Sequence, residues 1–288
     1  MDVDVIANDR NQTGESPVWS VREGAIYWLD TRAPAIYRVH LASGKRDEWS
    51  CPSKVNAIGL MRGGLVCSSK EGIFYFNAAT GAYEKGVDPE ADDPHSRAND
   101  GKVDRAGRFW FSTMEDDGKT PTGNLYRLDA DRTVTKLDGG YVIPNGVGWS
   151  PDDRLMYLGD TRQATIYVFD FDPAAGTVRN KRPFVQRPES EGHPDGLCVD
   201  SKGFVWSARV GAGMVARFAP DGSLDRTIPL PVRRPTSVML GGDDLRTLFI
   251  TTSCRTLNED ELKAQPLAGA LLAVRVDVPG LPETDYAG

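Results

Sequence analysis

The stretches NDGKVDRAGRFWFST (residues 99–113), NGVGWSPDDRLMYLGD (145–160) and DGLCVDSKGFVWSAR (195–209) follow one plan. In each, a short apolar strand enters a polar turn and leaves it as a second strand with aromatic or β-branched residues at alternate positions. Working outward, the plan recurs in ESPVWSVREGAIYWLD (15–30), NAIGLMRGGLVCSS (56–69) and TSVMLGGDDLRTLFITT (236–252). The turns REG, RGG, RAG, PDD, SKG and GDD carry the Gly, Asp and Pro that tight reversals between strands require. A third strand follows each hairpin (AIYRV, GIFYF, NLYRL, TIYVF, MVARF, ALLAV), and several run on through a turn into a more polar fourth, such as SLDRTIPL.

Successive segments start 41, 43, 46, 50 and 41 residues apart, close to the period of four-stranded propeller blades. The expected fold is therefore all-β: a six-bladed β-propeller of mostly four-stranded antiparallel blades around a central channel, one domain spanning residues 1–288. The strand before Glu15 is expected to complete the last blade, so that the ring closes without an exposed edge. Only 258–263 reads as a short turn of helix, which disfavours an α/β barrel.

Composition narrows the function. With 26% charged and 40% hydrophobic residues, 30 Gly and 19 Pro, the chain reads as turn-rich and globular rather than disordered. A formal net charge of −7 with scattered Lys and Arg argues against a nucleic-acid partner. Cys51, Cys67, Cys198 and Cys254 lie far apart with no C-x-x-C pair, which indicates neither a zinc ribbon nor a disulfide scaffold and fits a reducing compartment. The N-terminus MDVDVIANDR lacks a basic and an apolar signal region, and no window approaches the run of about 18 apolar residues that a membrane helix needs. The expectation is a cytoplasmic protein without a membrane partner, monomeric or weakly homo-oligomeric.

The residues that open the inner strands are Glu15, Asn56, Asn99, Asn145, Asp195 and Thr236, and all carry a side-chain oxygen. Packed core would put apolar residues there, since an unpaired buried polar group costs about 1 to 3 kcal/mol. Carboxylates, amides and a hydroxyl suit a hard divalent cation, and a site with few protein oxygens leaves positions for water and substrate. The alternative is plain turn chemistry, because Asn145-Gly146 and Asp195-Gly196 are pairs that favour tight turns without a ligand.

Four motifs resemble the regucalcin (senescence marker protein) and gluconolactonase family of six-bladed propellers: GESPVW at 14–19, RANDGKVDRAGRFWFSTM at 97–114, IPNGVGWSPD at 143–152 and HPDGLCVDSKGFVW at 193–206. The resemblance runs the whole length of the chain and implies a carboxylic ester hydrolase, a gluconolactonase-like sugar lactonase of carbohydrate metabolism. By similarity Glu15, Asn145 and Asp195 match the family's metal ligands, and Asp195 also its proposed general base. Arg97 and Asn99 match its substrate-holding pair. Asp117, in the acidic run after STM, matches a position where the family often carries a substrate-contacting glutamate. The implied cofactor is one divalent cation, calcium, zinc, manganese, magnesium or iron, and the implied partner is a small-molecule sugar lactone.

His193, two residues before Asp195, reads either as a substrate-orienting or supporting side chain at the same mouth or as an ordinary turn histidine. Arg32, Arg162, Arg209 and Arg233 flank inner strands. As loop charges they would be solvated, and around the mouth they would suit an anionic sugar lactone. Tyr27, Trp28, Trp110, Tyr157 and Trp206 sit on the second strand of successive blades and read as interblade core rather than a sugar-stacking set. The chain carries no G-x-S-x-G elbow. Two competing readings are a non-enzymatic divalent-metal or calcium-binding regulatory propeller and a hydrolase of another lactone or ester.

Overall fold

A computed structural model describes residues 2–288. The chain folds into six four-stranded antiparallel sheets, the six blades anticipated from the repeat. Blade 1 is Gly14–Ser20, Ala25–Asp30, Ala35–His40 and Arg46–Ser50, from channel to rim. Blades 2 to 5 repeat that order, with inner strands Val55–Met61, Ser96–Val103, Pro144–Trp149 and His193–Val199. In blade 6 the inner strands Pro235–Gly241, Thr247–Thr252 and Leu271–Arg275 are joined at the rim by Asp4–Ala7. The N-terminal strand pairs Asp4 with Ala273 and Val5 with Leu272, so the two ends of the chain share a sheet and the ring is latched.

Burial follows the strand order, with the three inner strands of each blade largely buried and the outer strands mostly exposed. Tyr27, Trp28, Trp110, Tyr157 and Trp206, on the second strands, are fully buried, as expected of interblade core, and so is Trp19 on the inner strand of blade 1. Two of these tryptophans are anchored identically. Trp110 Nε1 donates to Asp104 at 2.8 Å and Trp206 Nε1 to Asp200 at 3.0 Å, the carboxylate in each case opening the turn of D-R-A-G-R-F-W or D-S-K-G-F-V-W. All four cysteines are free.

The helical turn forms as Glu259–Ala264, capped by the Asn258 side chain with Glu261 reaching back to the Asn258 amide. No helix among the described residues is long and apolar enough to cross a membrane. At the end of the channel where the inner strands finish, the C-terminal segment packs across the opening. There Lys102 pairs with Glu283 at 3.0 Å beside Cys198 and Met239. Burial disfavours the Lys102 ammonium, but Glu283 outweighs that effect and raises its proton affinity. The other end of the channel stays open.

Candidate functional site

Each inner strand carries a bulge near its beginning, at Glu15/Val18, Val55/Ala57, Ala98/Gly101, Asn145/Val147, Pro194/Leu197 and Pro235/Ser237. A bulge bends its strand and re-aims the side chains around it. Glu15, Asn56, Asn99, Asn145 and Asp195 all line one cavity of about 430 Å³ at this end of the channel. Neither Asn145-Gly146 nor Asp195-Gly196 lies in a turn, since both sit within inner strands. Gly146 adopts a positive φ of 67°, and Ser16, in the same place after Glu15, adopts 50°. Glycine takes that backbone freely, whereas a side chain rarely tolerates it, so Ser16 holds local strain next to a candidate ligand. The glycine after Asp195 has a different use: a Cβ there would come within 1.9 Å of Ser237 Oγ.

Thr236 does not line the cavity. Its hydroxyl donates to Gly14 O at 2.5 Å and lies 2.9 Å from Thr251 Oγ1, tying blade 6 to blade 1. Two of the other polar openers, Asn99 and Asn145, are linked by hydrogen bonds that run across blades 3 to 5. Arg97 Nη1 donates to Asn99 Oδ1 at 2.8 Å, and Asn99 Nδ2 to both Pro144 O at 2.7 Å and Asn145 Oδ1 at 2.6 Å. Asn145 Nδ2 donates to Thr161 Oγ1 at 2.7 Å, and that hydroxyl to Pro194 O at 2.7 Å, next to Asp195. Arg97 and Asn99 thus reach Asn145 directly and the backbone beside Asp195 through one threonine.

Three carboxylates face the same space. Asp100 is fully engaged by backbone, accepting from Gly146 N at 2.6 Å and Gly101 N at 2.7 Å. Glu15 accepts only from its neighbour's amide, Ser16 N at 3.2 Å, and no hydrogen bond or ion pair reaches the Asp195 carboxylate among the described residues. Burial raises the proton affinity of Glu15 well above the carboxylate range, and the charges of Asp195 and Asp100 raise it further. Burial, and then Asp100, pushes Asp195 up to about 8. Two free, mutually repelling carboxylates beside an amide oxygen form a donor set short of positive charge. Glu15, Asp195 and Asn145 Oδ1, which has a second lone pair beyond the one Asn99 uses, therefore fit a hard divalent cation. Among the described residues no group of three or more His, Cys, Asp and Glu side chains is arranged to hold a metal, so such an ion depends on the Asn145 amide.

The remaining candidates separate. Asp117 lines the cavity but spends one oxygen on the amides of Lys119 at 2.7 Å and Thr120 at 3.4 Å, the geometry of a turn cap. The carboxylate that touches Arg97 is that of Asp116, with Nε 3.1 Å from Oδ1. This contact is ionic, because Nε has no aligned hydrogen-bond partner. Asp116 also pairs with Lys70 at 2.7 Å. The ring of His193 lies 3.1 Å from Thr161 O and does not line the cavity.

Of the flanking arginines, Arg32 and Arg162 reach the cavity, while Arg209 is buried against Glu191 O and Gly192 O. Arg233 does not line it, but Arg234 and Arg255 do. Asp100, Arg234 and Arg255 were not picked out from sequence. The only trace of Asp100 is its place in N-D-G, and the two arginines belong to no motif.

Residues 13–254 match the sequence profile of the SMP-30/Gluconolactonase/LRE-like region. Over 278 residues, 96% of this chain and 95% of the relative, the chain is 38% identical to a 6-deoxy-6-sulfogluconolactonase of Pseudomonas putida. It is 33% identical to a pentonolactonase of Haloferax volcanii, with 98% and 97% of the two chains covered. Among solved structures it superposes on a calcium-binding protein, regucalcin, of Agrobacterium tumefaciens with a TM-score of 0.95 and 27% identity, covering 99% of this chain and 97% of the other.

Proposed function

This chain belongs to the SMP-30/gluconolactonase/LRE-like family, and we propose that its open channel mouth hydrolyses a sugar lactone to the aldonic acid with the aid of one divalent cation held by Glu15, Asn145 and Asp195. The observation that carries this reading is the pair of carboxylates Glu15 and Asp195, neither of which has a side-chain hydrogen-bond or ion-pair partner among the described residues, in a cavity they share with the linked side chains of Arg97, Asn99 and Asn145. Relatives named for lactone hydrolysis and aligned over nearly the full length of both chains support the activity.

Hydrolysis joins a water oxygen to the lactone carbonyl carbon, breaks the ring C–O bond and returns a proton to the departing alkoxide. When bound, the cation supplies a Lewis acid for the carbonyl oxygen, which carries the developing negative charge. The Asp195 carboxylate accepts the proton of the attacking water and delivers it to the ring oxygen as the C–O bond opens. Arg97, with Nη1 donating to Asn99 Oδ1 and Ala98 O and Nη2 donating to Met114 Sδ, is held at the cavity wall, where its remaining Nη2 hydrogen donates to a sugar oxygen and limits how the ring can lie. Asn99 and Thr161 act through others. They hold Arg97 and Asn145 in place, and neither needs to touch the lactone.

The test is acid release by metal-stripped protein from a panel of aldonolactones, each with and without calcium, magnesium, manganese, zinc or ferrous iron. The expected result is cation-dependent release well above spontaneous opening for at least one pair. Metal binding without turnover on any lactone would overturn the reading in favour of a binding propeller.

A further inference from the structure

Apart from Glu15, Asp100 and Asp195, the charged side chains of the cavity wall are mostly positive, and one of them, Arg234, lies close enough to Asp195 to favour its charged form. Arg32, Arg97, Arg162, Arg234, Arg255 and Lys119 line the wall, against only Asp116 and Asp117. Arginines elsewhere on the molecule commonly have carboxylate partners, as Arg38 has Asp47, Arg182 has Asp170 and Arg275 has Asp244. Of the arginines lining this cavity, Arg97 alone has one among the described residues. Among the described residues the side chains of Arg32, Arg162, Arg234 and Arg255 make no ion pair and no hydrogen bond, and Arg234 Nε is buried without a partner.

Three of these guanidinium groups converge. Burial first, and Arg255 next, lowers the proton affinity of Arg32. Burial brings Arg97 down to about 10, with Arg32 and Arg255 both adding to the effect. Arg97 also feels the charge of Glu15, so it stands between the carboxylate end of the cavity and the guanidinium end.

The loops that carry Arg32 and Arg255 are both fastened to residues 11–13. Asp30 accepts from the amides of Gln12 at 2.7 Å, Thr13 at 3.2 Å and Arg32 at 2.9 Å, which fixes the turn bearing Arg32. Gln12 O accepts from Arg255 N at 3.0 Å, and Asn11 O from Cys254 N at 3.1 Å. The two arginines therefore stand on backbone clamped from one segment. Bringing like charges together without counter-ions is unfavourable, and a protein of net charge −7 repels anions at long range. A clustered, unpaired set in a cavity is what an anion would neutralise, and guanidinium groups bind oxoanions with paired N–H donors.

We propose, resting on the lactonase reading above, that the substrate carries a fixed oxoanion at the end remote from its ester, and that Arg32 and Arg255, assisted by Arg97, receive it. The lactone carbonyl then lies toward Glu15 and Asp195, and the oxoanion toward blades 1 and 6. Sulfonate, phosphate monoester and carboxylate share the chemistry, and they are told apart by the arms of one experiment.

That experiment compares glucono-1,5-lactone with its 6-deoxy-6-sulfo, 6-phospho and 6-carboxylate counterparts for kcat/KM, in the wild type and in Arg32→Gln and Arg255→Gln. At least one anionic lactone is expected to exceed the neutral one by about a hundredfold. Each substitution is expected to raise KM for that lactone at least tenfold more than for the neutral one. A neutral lactone turned over as efficiently as all three anionic ones, or substitutions that penalise neutral and anionic lactones alike, would overturn the proposal and leave the lactonase reading standing.

Calorimetric titration with the matching aldonates and with gluconate separates the two readings if no lactone is opened. Tight binding of an anionic aldonate, but not gluconate, that is lost in both variants would uphold the oxoanion site while the hydrolytic reading fell. Equal or absent binding of all four would remove the oxoanion site.

Discussion

Asn99 Nδ2 and Asn145 Oδ1 meet at 2.6 Å across the junction of blades 3 and 4, and the same Asn99 holds Arg97 through its own carbonyl oxygen. One amide thus orients both a candidate metal ligand and a candidate substrate-binding cation. Asn99→Ala leaves the Asn145 oxygen and the Arg97 guanidinium without this partner, an effect worth about 1 to 3 kcal/mol at a buried position. We expect kcat/KM on the preferred lactone to fall by about 10- to 100-fold while the circular dichroism spectrum is preserved. Asn99→Asp is expected to restore the contact to Arg97 but not the donor to Asn145, giving an intermediate rate. Steady-state kinetics of the two variants checks this, and equal losses in both would argue that only the Asn145 contact matters.

Among the described residues no hydrogen bond or ion pair reaches the Asp195 carboxylate, and its charge is disfavoured by burial and by Asp100, more than Arg234 favours it. Asp195→Asn keeps the size of the side chain and removes both the negative charge and the proton acceptor. Turnover is expected to drop by about 10²- to 10⁴-fold, the range for losing a general base. In the metal-stripped protein at pH 8 the same substitution is expected to raise the melting temperature, because a repulsive buried charge is gone. An inactive variant that also melts lower would point to a structural role instead. Asp195→Ala with unchanged turnover would remove Asp195 from the chemistry.

The pH dependence of the metal-free fold follows from the same group. Asp195 titrates near 8 in the folded chain, whereas an unfolded aspartate titrates near 4. Between those values the native state holds a proton that the unfolded state has released, so stability falls as pH rises through this window. Glu15, raised by burial and by Asp195 and Asp100, acts in the same direction. Scanning calorimetry in chelator is expected to show a melting temperature several degrees lower at pH 9 than at pH 6. A bound cation should abolish the difference and release protons into a weakly buffered solution as it binds. A chelated protein with one melting temperature at both pH values would contradict the assignment.

The ring of blades and the polar openers were legible because the repeat is: a hairpin every 41 to 50 residues fixes the architecture, and five of its six equivalent polar positions reach the cavity. The sixth, Thr236, obeys the same register but spends its hydroxyl on the ring junction at Gly14. Positions set by loop geometry were not legible. Whether Asp116 or Asp117 meets Arg97 depends on how the chain leaves the strand Phe109–Glu115, and adjacent residues there point different ways. Arg32 was among the arginines that flank inner strands, but Arg234 and Arg255, which join it in the cavity from blade 6, more than 200 residues away in the chain, have no local pattern to announce them. Asp100 was hidden by its motif. The pair Asp100-Gly101 resembles a turn, yet its carboxylate receives the amide of Gly146 in the next blade.

Gly196 provides the test of how the inner strands hold Asp195. Read locally, Asp195-Gly196 marks a turn in which alanine is tolerable. In the fold, a Cβ on Gly196 falls 1.9 Å from Ser237 Oγ, 2.4 Å from its Cβ and 2.7 Å from its Cα. The first of these contacts can be relieved by turning the Ser237 side chain, but the last involves backbone and requires the inner strands of blades 5 and 6 to separate. Overpacking of this kind costs about 1 to 3 kcal/mol, and it moves the residue next to Asp195. Gly196→Ala is therefore expected to lower the denaturation midpoint and to reduce kcat and cation affinity together. Adding Ser237→Gly removes the side chain but not the Cα, so it should recover only part of each loss. Denaturant titration and cation titration on the single and double variants measure this directly. A Gly196→Ala protein with wild-type stability and affinity would show that the two strands have room to spare and that the glycine is there for another reason.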